Sequence, residues 1–320
     1  MNVADTAEKI KSMEIRGAGR IARAAVEALA CHAEQVRAAD LSGFRKEMHR
    51  AADILLATRP TAVSLPNAIH IVMSGVDRAG TLAEAQEAVR TRAAGFAESS
   101  KNAVNRIAEI GSRHIPDGAT ILTHCNSEAA LACIIAAHRQ GKDIEVFATE
   151  VRPRNQGLLT IRTLNDAGIK TNFIVDSAVR SFIGRMDLVV TGADAITVNG
   201  AVVNKIGTSQ IALAAHEARV NMVVAAETYK FAPRTILGEL IEIEERDTAE
   251  VLAPEIAESL PHVTVRNPAF DFTPAEYVDL IVTEEGAIPP EMAYIIIREY
   301  LGWGISEFHN SSGINNTGED

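Results

Sequence analysis

Aromatic residues are scarce in this sequence, at 4% with a single Trp. Proteins that bind single-stranded nucleic acid stack its bases on aromatic rings, so such a platform is not expected. Cysteine is equally sparse: Cys31, Cys125 and Cys133 are the three, and no C-x-x-C spacing occurs. An odd, scattered set makes neither a disulfide framework nor a zinc site. No apolar run approaches the roughly 18 residues that a membrane span needs. The opening stretch, MNVADTAEKIKSMEIRGAGR, has no apolar signal core, so a cytoplasmic location away from membranes is expected. Positive charge is also in deficit: 31 Lys and Arg stand against 42 Asp and Glu, a net charge of −11. The molecule as a whole therefore does not attract a phosphate backbone. Any anionic ligand needs a local cationic pocket.

What is present is ordinary globular composition, 47% hydrophobic and 23% charged over 320 residues. At roughly 150 residues per domain, that length suggests about two domains. The expected fold class is α/β: a helical N-terminal domain over 1–112, then a Rossmann-like domain over 113–309 with a mostly parallel sheet flanked by helices. In the first part apolar residues recur at helical spacing through Ile21, Ala25, Ala28 and Leu29. Further helices are expected near 42–57, 66–73 and 80–109. From 115 onward short β-rich runs alternate with helical segments, which argues for a parallel sheet. The runs are 120–123, 144–149, 171–175, 188–191, 222–226 and 280–283. Residues 310–320 read as a polar, flexible tail.

Ligands of parallel sheets bind at the carboxyl ends of the strands, and the candidate residues fall there. Thr123-His124-Cys125-Asn126-Ser127 follows a strand and precedes a helix. Asn126 or Ser127 can cap that helix. A thiol beside a helix N-terminus has its thiolate favoured by the dipole; against this stands the common use of Cys as a small buried hydrophobe. Cys31 and Cys133 read as packing residues. Gly192-Ala193-Asp194 ends another strand. A lone Asp there most often caps a turn; next to Cys125 it becomes an acid/base partner. Donating a proton near neutral pH requires its carboxyl to be raised by desolvation or by nearby anions.

Asn204-Lys205-Ile206-Gly207-Thr208 combines a Lys, a Gly and a helix N-terminus, which suits a phosphate. It is not a Walker motif, and a Lys beside Gly in a turn is usually solvated. Arg16-Gly17-Ala18-Gly19-Arg20 is a glycine-rich turn opening a helix. Its backbone N–H groups can converge on an anion, and Arg16 adds a fork of donors. Arg59, before Pro60, is a second candidate anion ligand, with a helix-ending salt bridge as its plainer role. Lys230 is a third basic group, with solvated surface as its plainer place. Asp176, Glu150 and Arg152 also stand near strand ends, as cleft lining or subunit contact.

Taken in order, these marks resemble a known superfamily: the methylthioribose-1-phosphate isomerases, the ribose-1,5-bisphosphate isomerases and the regulatory subunits of initiation factor 2B. The resemblance continues through Ala225–Phe231 and Asn267–Asp271, nearly the whole chain. Arg59–Asn67 (RPTAVSLPN), Glu150–Gly157 (EVRPRNQG) and AAETYKF look like the archaeal ribose-1,5-bisphosphate isomerase branch. That resemblance implies conversion of ribose 1,5-bisphosphate to ribulose 1,5-bisphosphate, in AMP degradation feeding a form III Rubisco. It implies no metal or redox cofactor, AMP as an activator, and a homo-oligomer, a hexamer built from dimers. By family match Cys125 is the base and Asp194 the proton donor. Phosphates would be held by Arg16, Gly17, Ala18, Gly19, Arg59, Ser127, Asn204, Lys205 and Lys230. Two alternatives stay open: methylthioribose-1-phosphate isomerase, and a non-catalytic regulatory subunit.

Overall fold

A computed structural model describes residues 2–301 except 13, 16 and 60–62. Arg16 and the 310–320 tail therefore lie outside the described residues. Five helices come first: α1 (Val3–Lys11), α2 (Ala18–Gln35), α3 (Leu41–Leu56), α4 (Ser64–Arg78) and α5 (Leu82–Gly111). Their starts follow capping chemistry. Asp40 accepts from the Gly43 N–H to open α3, and Thr81 with Glu84 forms a reciprocal capping box on α5.

Helix α4 is longer than the 66–73 expected. Pro66 lies in its first turn, where a missing N–H costs no intrahelical bond. Gly75 does not end it either. A Cβ there would lie 2.6 Å from Arg92 Nε on α5, so this glycine is a point of close helix approach.

A seven-stranded sheet follows, built from β1 (Thr120–Thr123), β2 (Glu145–Thr149), β3 (Lys170–Ile174), β4 (Leu188–Gly192), β7 (Asn221–Ala225), β9 (Leu280–Thr283) and β10 (Gly286–Ile288). The order is β10-β9-β7-β4-β1-β2-β3, parallel except for β10 against β9. The six expected strands are all in it. Helices α6 (Glu128–Arg139), α7 (Gly157–Asp166), α8 (Val179–Phe182) and α9 (Thr208–Ala218) make the connections.

The sequence pattern does not show β10 or a second, three-stranded sheet of β5 (Ala195–Ile196), β6 (Val202–Lys205) and β8 (Phe270–Thr273), ordered β5-β6-β8 and antiparallel. β5 has only two residues, and β6 and β8 pair antiparallel outside the strand–helix alternation from which the larger sheet is read.

Strand burial on both faces explains the apolar runs. In β1, Ile121 packs with Ile107 of α5 and Ile134 of α6, while Leu122 belongs to the opposite core with Ile183 and Ile211. That second core is continuous with the one inside the N-terminal helices, which includes Leu29, Phe44 and Leu65. Cys133 is in the first core, its thiol directed to the Ile107 carbonyl at 3.4 Å, a packing role as expected. Among the described residues no helix is long and apolar enough to cross a membrane.

The helices reach the sheet's carboxyl edge through Asn67 of α4. Its buried amide nitrogen donates to the carbonyls of Tyr229 (2.9 Å) and Phe231 (2.7 Å). Removing this donor leaves two buried acceptors unsatisfied. Asn67→Ala is expected to cost roughly 1–3 kcal/mol, the penalty for unpaired buried acceptors, as measured by equilibrium urea unfolding. A loss below ~0.5 kcal/mol, the range of ordinary surface changes, would show that the two carbonyls find other donors.

Candidate active site

The order in which strands are added reverses at β1. From there β2 and β3 are laid down on one side, and β4, β7 and β9 on the other. Such a switch point is where open parallel sheets form their ligand crevice, here at the carboxyl ends of β1 and β4. Cys125 follows β1 and Asp194 follows β4. The two candidate catalytic residues thus come from neighbouring strands although 69 positions separate them.

Cys125 has φ +68°, a left-handed conformation uncommon for a residue with a side chain. It is pinned there. The hydroxyl of Thr160 in α7 donates to the Cys125 carbonyl at 2.7 Å and sits 3.2 Å from Asn126 Oδ1. The preceding His124 is fully buried. Its Nε2 lies 2.9 Å from the Ile206 carbonyl, which can only accept, so Nε2 carries the proton and Nδ1 accepts from Thr149 Oγ1 at 2.6 Å. Burial lowers its pKa, which agrees with a neutral ring. His124 ties together the ends of β1 and β2 and the turn before α9, and does not present a base to the cleft.

Ser127 caps α6, accepting from the Ala130 N–H at 3.3 Å. It can do so because residue 192 is glycine: a Cβ there would lie 2.2 Å from Ser127 Oγ. Beyond Gly192 the Asp194 N–H donates to the Val203 carbonyl at 2.9 Å. That bond extends the β5–β6 hairpin, whose last residue is Lys205.

Four cations bear on Asp194: Lys230, Lys205, Arg246 and Arg59, in falling order of effect. Burial nevertheless outweighs them, and the Asp194 carboxyl is held above the usual carboxylate range. Burial likewise pushes the Cys125 thiol up to about 11, with the Asp194 charge adding to the rise and Lys205 and Arg246 opposing it. Both residues keep some exposed surface, yet lost hydration remains the largest influence on each.

The cations are themselves held. Lys205 is 6% exposed, donates to the Ala269 carbonyl at 3.0 Å and lies 4.5 Å from the Phe270 ring centre. Burial, then the neighbouring Arg246, lowers its pKa. Lys230, at 8% exposed, is no surface lysine. Its ammonium lies 2.7 Å from Glu227. Burial opposes its charge, but Glu227, Asp194 and Glu128 hold it above the ordinary lysine value. Arg59 pairs with Glu244 at 3.1 Å, and Arg246 approaches the same carboxylate at 3.3 Å.

The other candidates divide. Gly17 opens α2 with φ +90°. The Ala18 carbonyl lies 3.4 Å from Ser64 Oγ. Gly19 lies beneath the Tyr229 hydroxyl, where a Cβ would be 2.7 Å from that oxygen. The turn therefore lies next to the segment that carries Lys230. Asn204 points inward, its amide 3.0 Å from Thr208 Oγ1.

The N-terminus of α9, expected to suit a phosphate, already holds an anion of the chain itself. Asp271 Oδ2 accepts from the N–H groups of Gly207 (2.7 Å) and Ser209 (3.1 Å). Asp176 takes the N–H groups of Val151 and Arg152, so it shapes the turn after β2. Sequence pattern does not single out Arg246, Glu244, Glu227 or Asp271. Arg246 stands in an acidic stretch, and only the fold turns it inward. Among the described residues no three His, Cys, Asp or Glu side chains group as metal ligands.

Because the Asp194 charge raises the thiol, Asp194→Asn should lower it. The rate of Cys125 alkylation by iodoacetamide, followed against pH by mass spectrometry, is expected to titrate near 11 in the unmodified protein. It should titrate at lower pH in the variant. An unchanged profile would mean that the carboxyl and thiol do not share a site.

A family model described as the initiation factor 2 subunit family matches residues 14–290. The chain is 57% identical over 306 residues to a ribose 1,5-bisphosphate isomerase of Archaeoglobus fulgidus, covering 95% of this chain and 96% of that one. It is 54% identical over 301 residues to the protein of the same name from Methanocaldococcus jannaschii, covering 94% and 96%. Among solved structures, the translation initiation factor eIF-2B of Pyrococcus horikoshii OT3 superposes with a TM-score of 0.76 at 32% identity, covering 90% of this chain and 97% of that one. With its helical N-terminal region, its mostly parallel sheet and the motifs at that sheet's carboxyl edge, the chain belongs to the initiation factor 2 subunit family.

Proposed function

We propose that this chain is a sugar-phosphate isomerase that converts ribose 1,5-bisphosphate to ribulose 1,5-bisphosphate. The observation that carries the reading is a thiol and a raised carboxyl at the switch point, set among four cations. Relatives at 54% and 57% identity bear that enzyme's name. In a chain of net charge −11, such a cationic cleft has a purpose if the ligand is multiply anionic. A regulatory binding module would need the cations but not the thiol and carboxyl.

The substrate's chemistry assigns the roles. Phosphate on C1 prevents opening to a free aldehyde, so the ring C1–O4 bond must break by another route. Asp194, kept protonated by burial, donates to O4 as that bond breaks, leaving a cation at C1 stabilised by the phosphate-bearing oxygen. Cys125, as thiolate, removes the C2 proton to give the enol phosphate. The thiol returns a proton to C1, the Asp194 carboxylate takes the 2-hydroxyl proton, and the ketone results with both groups restored. Lys205 and Arg246 are the charges that bring the thiolate within reach. Arg16, Gly17, Ala18, Gly19, Arg59, Ser127, Asn204, Lys205 and Lys230 are assigned to holding the phosphates. Arg246 joins this set.

A second route is favoured by the thiol's rise to about 11. A hydride can move from C2 to C1 while Cys125 stays protonated and Asp194 keeps its role. The wider reading places the reaction in AMP degradation feeding a form III Rubisco, in the cytoplasm, with AMP as activator, no metal or redox cofactor, and a hexamer of dimers as the working form.

Phosphorus NMR of the protein with ribose 1,5-bisphosphate should show ribulose 1,5-bisphosphate appearing without added metal. Turnover of methylthioribose 1-phosphate alone would move the chain to that activity; silence on both, with and without AMP, would make it a regulatory relative. Cys125→Ser and Asp194→Asn are each expected to lower kcat by at least ~100-fold, the scale of general acid–base contributions, with the melting curve retained. Substrate deuterated at C2 separates the routes: any loss of label to water marks proton removal through the exchangeable thiol, whereas a hydride cannot exchange and carries all of it to C1.

A further inference from the structure

Glu227 is a buried carboxylate to which the reaction above gives no task. It follows β7 and is 5% exposed. One oxygen, Oε2, lies 2.7 Å from Lys230 Nζ. The other, Oε1, accepts from the Tyr229 hydroxyl at 3.0 Å. That hydroxyl lies 3.3 Å from Ser100 Oγ on α5, and Ser100 accepts from Arg23 of α2 at 2.9 Å. An unbroken polar chain thus runs from the N-terminal helices to the lysine of the cleft. The backbone around it is fixed as well. Asn67 holds the carbonyls on either side of Lys230, and Glu284 takes the N–H (3.0 Å) and hydroxyl (2.7 Å) of Thr228.

A buried ion pair is a poor means of stabilising a fold, because desolvation offsets most of its attraction. Two apolar residues would serve packing as well. The pair has a use if a charged ammonium must stand in a dry cleft. We propose that Glu227 is a positioning residue: its carboxylate keeps the Lys230 ammonium charged and directed toward Asp194, and Tyr229 ties that carboxylate to the N-terminal helices. The proposal rests on the reading of Lys230 as a phosphate ligand.

The surrounding charges agree. Lys230 is faced by Glu227, Asp194 and Glu128, of which Glu227 acts most strongly. Glu227 is faced by Lys230, the Tyr229 hydroxyl and Glu284, and stays below the usual carboxylate range despite its burial. Tyr229 is faced by Glu227, Ser100 and Arg23, and burial raises its hydroxyl well above the ordinary tyrosine value, so it remains a donor. Lys230 keeps two further N–H donors for the cleft once Glu227 has taken one. Without the Glu227 charge, burial would dominate and the ammonium would lose its proton at lower pH.

The test compares kcat/KM against pH for ribose 1,5-bisphosphate in the unmodified protein, Glu227→Gln, Lys230→Met and the double variant. In Glu227→Gln the part of the basic limb that disappears in Lys230→Met, and so belongs to Lys230 rather than to Lys205, is expected to fall at least about one pH unit lower. Above that limb KM should rise at least ~10-fold, because each pH unit by which the limb moves is a factor of ten in the charged fraction, with kcat changed far less. In the Lys230→Met background the same substitution should add nothing. An unmoved limb and KM in Glu227→Gln would overturn the proposal. So would an equal loss with and without Lys230, which is the mark of a merely structural role. Should Glu227→Gln not fold, Glu227→Asp keeps the charge at a longer reach. It should raise KM while restoring most of the limb, and a profile identical to the unmodified protein's would overturn the proposal. Normal turnover by Lys230→Met would instead remove the reading of Lys230, and the proposal with it. Absence of turnover by the unmodified protein would remove the proposed function itself.

Discussion

Four cations converge on one cleft, and their mutual repulsion is the constraint that the surrounding structure answers. Like charges repel more strongly away from water, and the Lys205 ammonium is already weakened by burial and by Arg246. The chain supplies counter-ions from within. Glu227 pairs with Lys230, and Glu244 stands between Arg59 and Arg246. Asp194 lies among all four, yet loses enough hydration that its carboxyl is still raised. The balance is local excess positive charge inside an acidic molecule. That is the arrangement a doubly phosphorylated ligand requires and a neutral one does not.

Holding such a cluster requires rigid supports, and they come from distant parts of the chain. His124 joins the ends of two strands to the turn before α9, as a neutral ring that titration near neutral pH does not disturb. Asp271, from β8, occupies the α9 N-terminus that a phosphate would otherwise take. Ser127 fits against the bare backbone of Gly192. Asn67 carries the influence of the N-terminal helices to the turn holding Lys230. These contacts explain how a thiol and a carboxyl, raised by the same loss of water, are held at one end of two neighbouring strands.

Much of this is legible in the residues alone. The alternation of β-rich runs and helices shows a parallel sheet because its strands are buried on both faces and read as continuous apolar segments, as 188–192 does. Cys125 and Asp194 are visible because each follows such a run, at the edge where parallel sheets bind ligands. Other features are hidden for physical reasons. The small sheet pairs antiparallel, outside the strand–helix alternation that reveals the large one. Helix α4 runs past the expected 66–73, and Gly75 within it is a point of contact with α5. Lys230 is a candidate in the sequence, but the Glu227 that pairs with it in a buried place is not, and Arg246 is one basic residue in an acidic stretch.

The sequence by itself determined the class of fold, the edge of the sheet at which the candidate residues gather, and the thiol, carboxyl and lysines proposed for chemistry there. Those are properties of local pattern: apolar period, turn residues and the identity of side chains at strand ends. Tertiary structure alone decided which strands became neighbours, and so which thiol met which carboxyl. It also decided that the α9 N-terminus binds Asp271 rather than a ligand, and that Glu227 keeps a buried lysine charged. Such outcomes depend on distance and lost hydration between residues far apart in the chain, and neither quantity is written in the order of the residues.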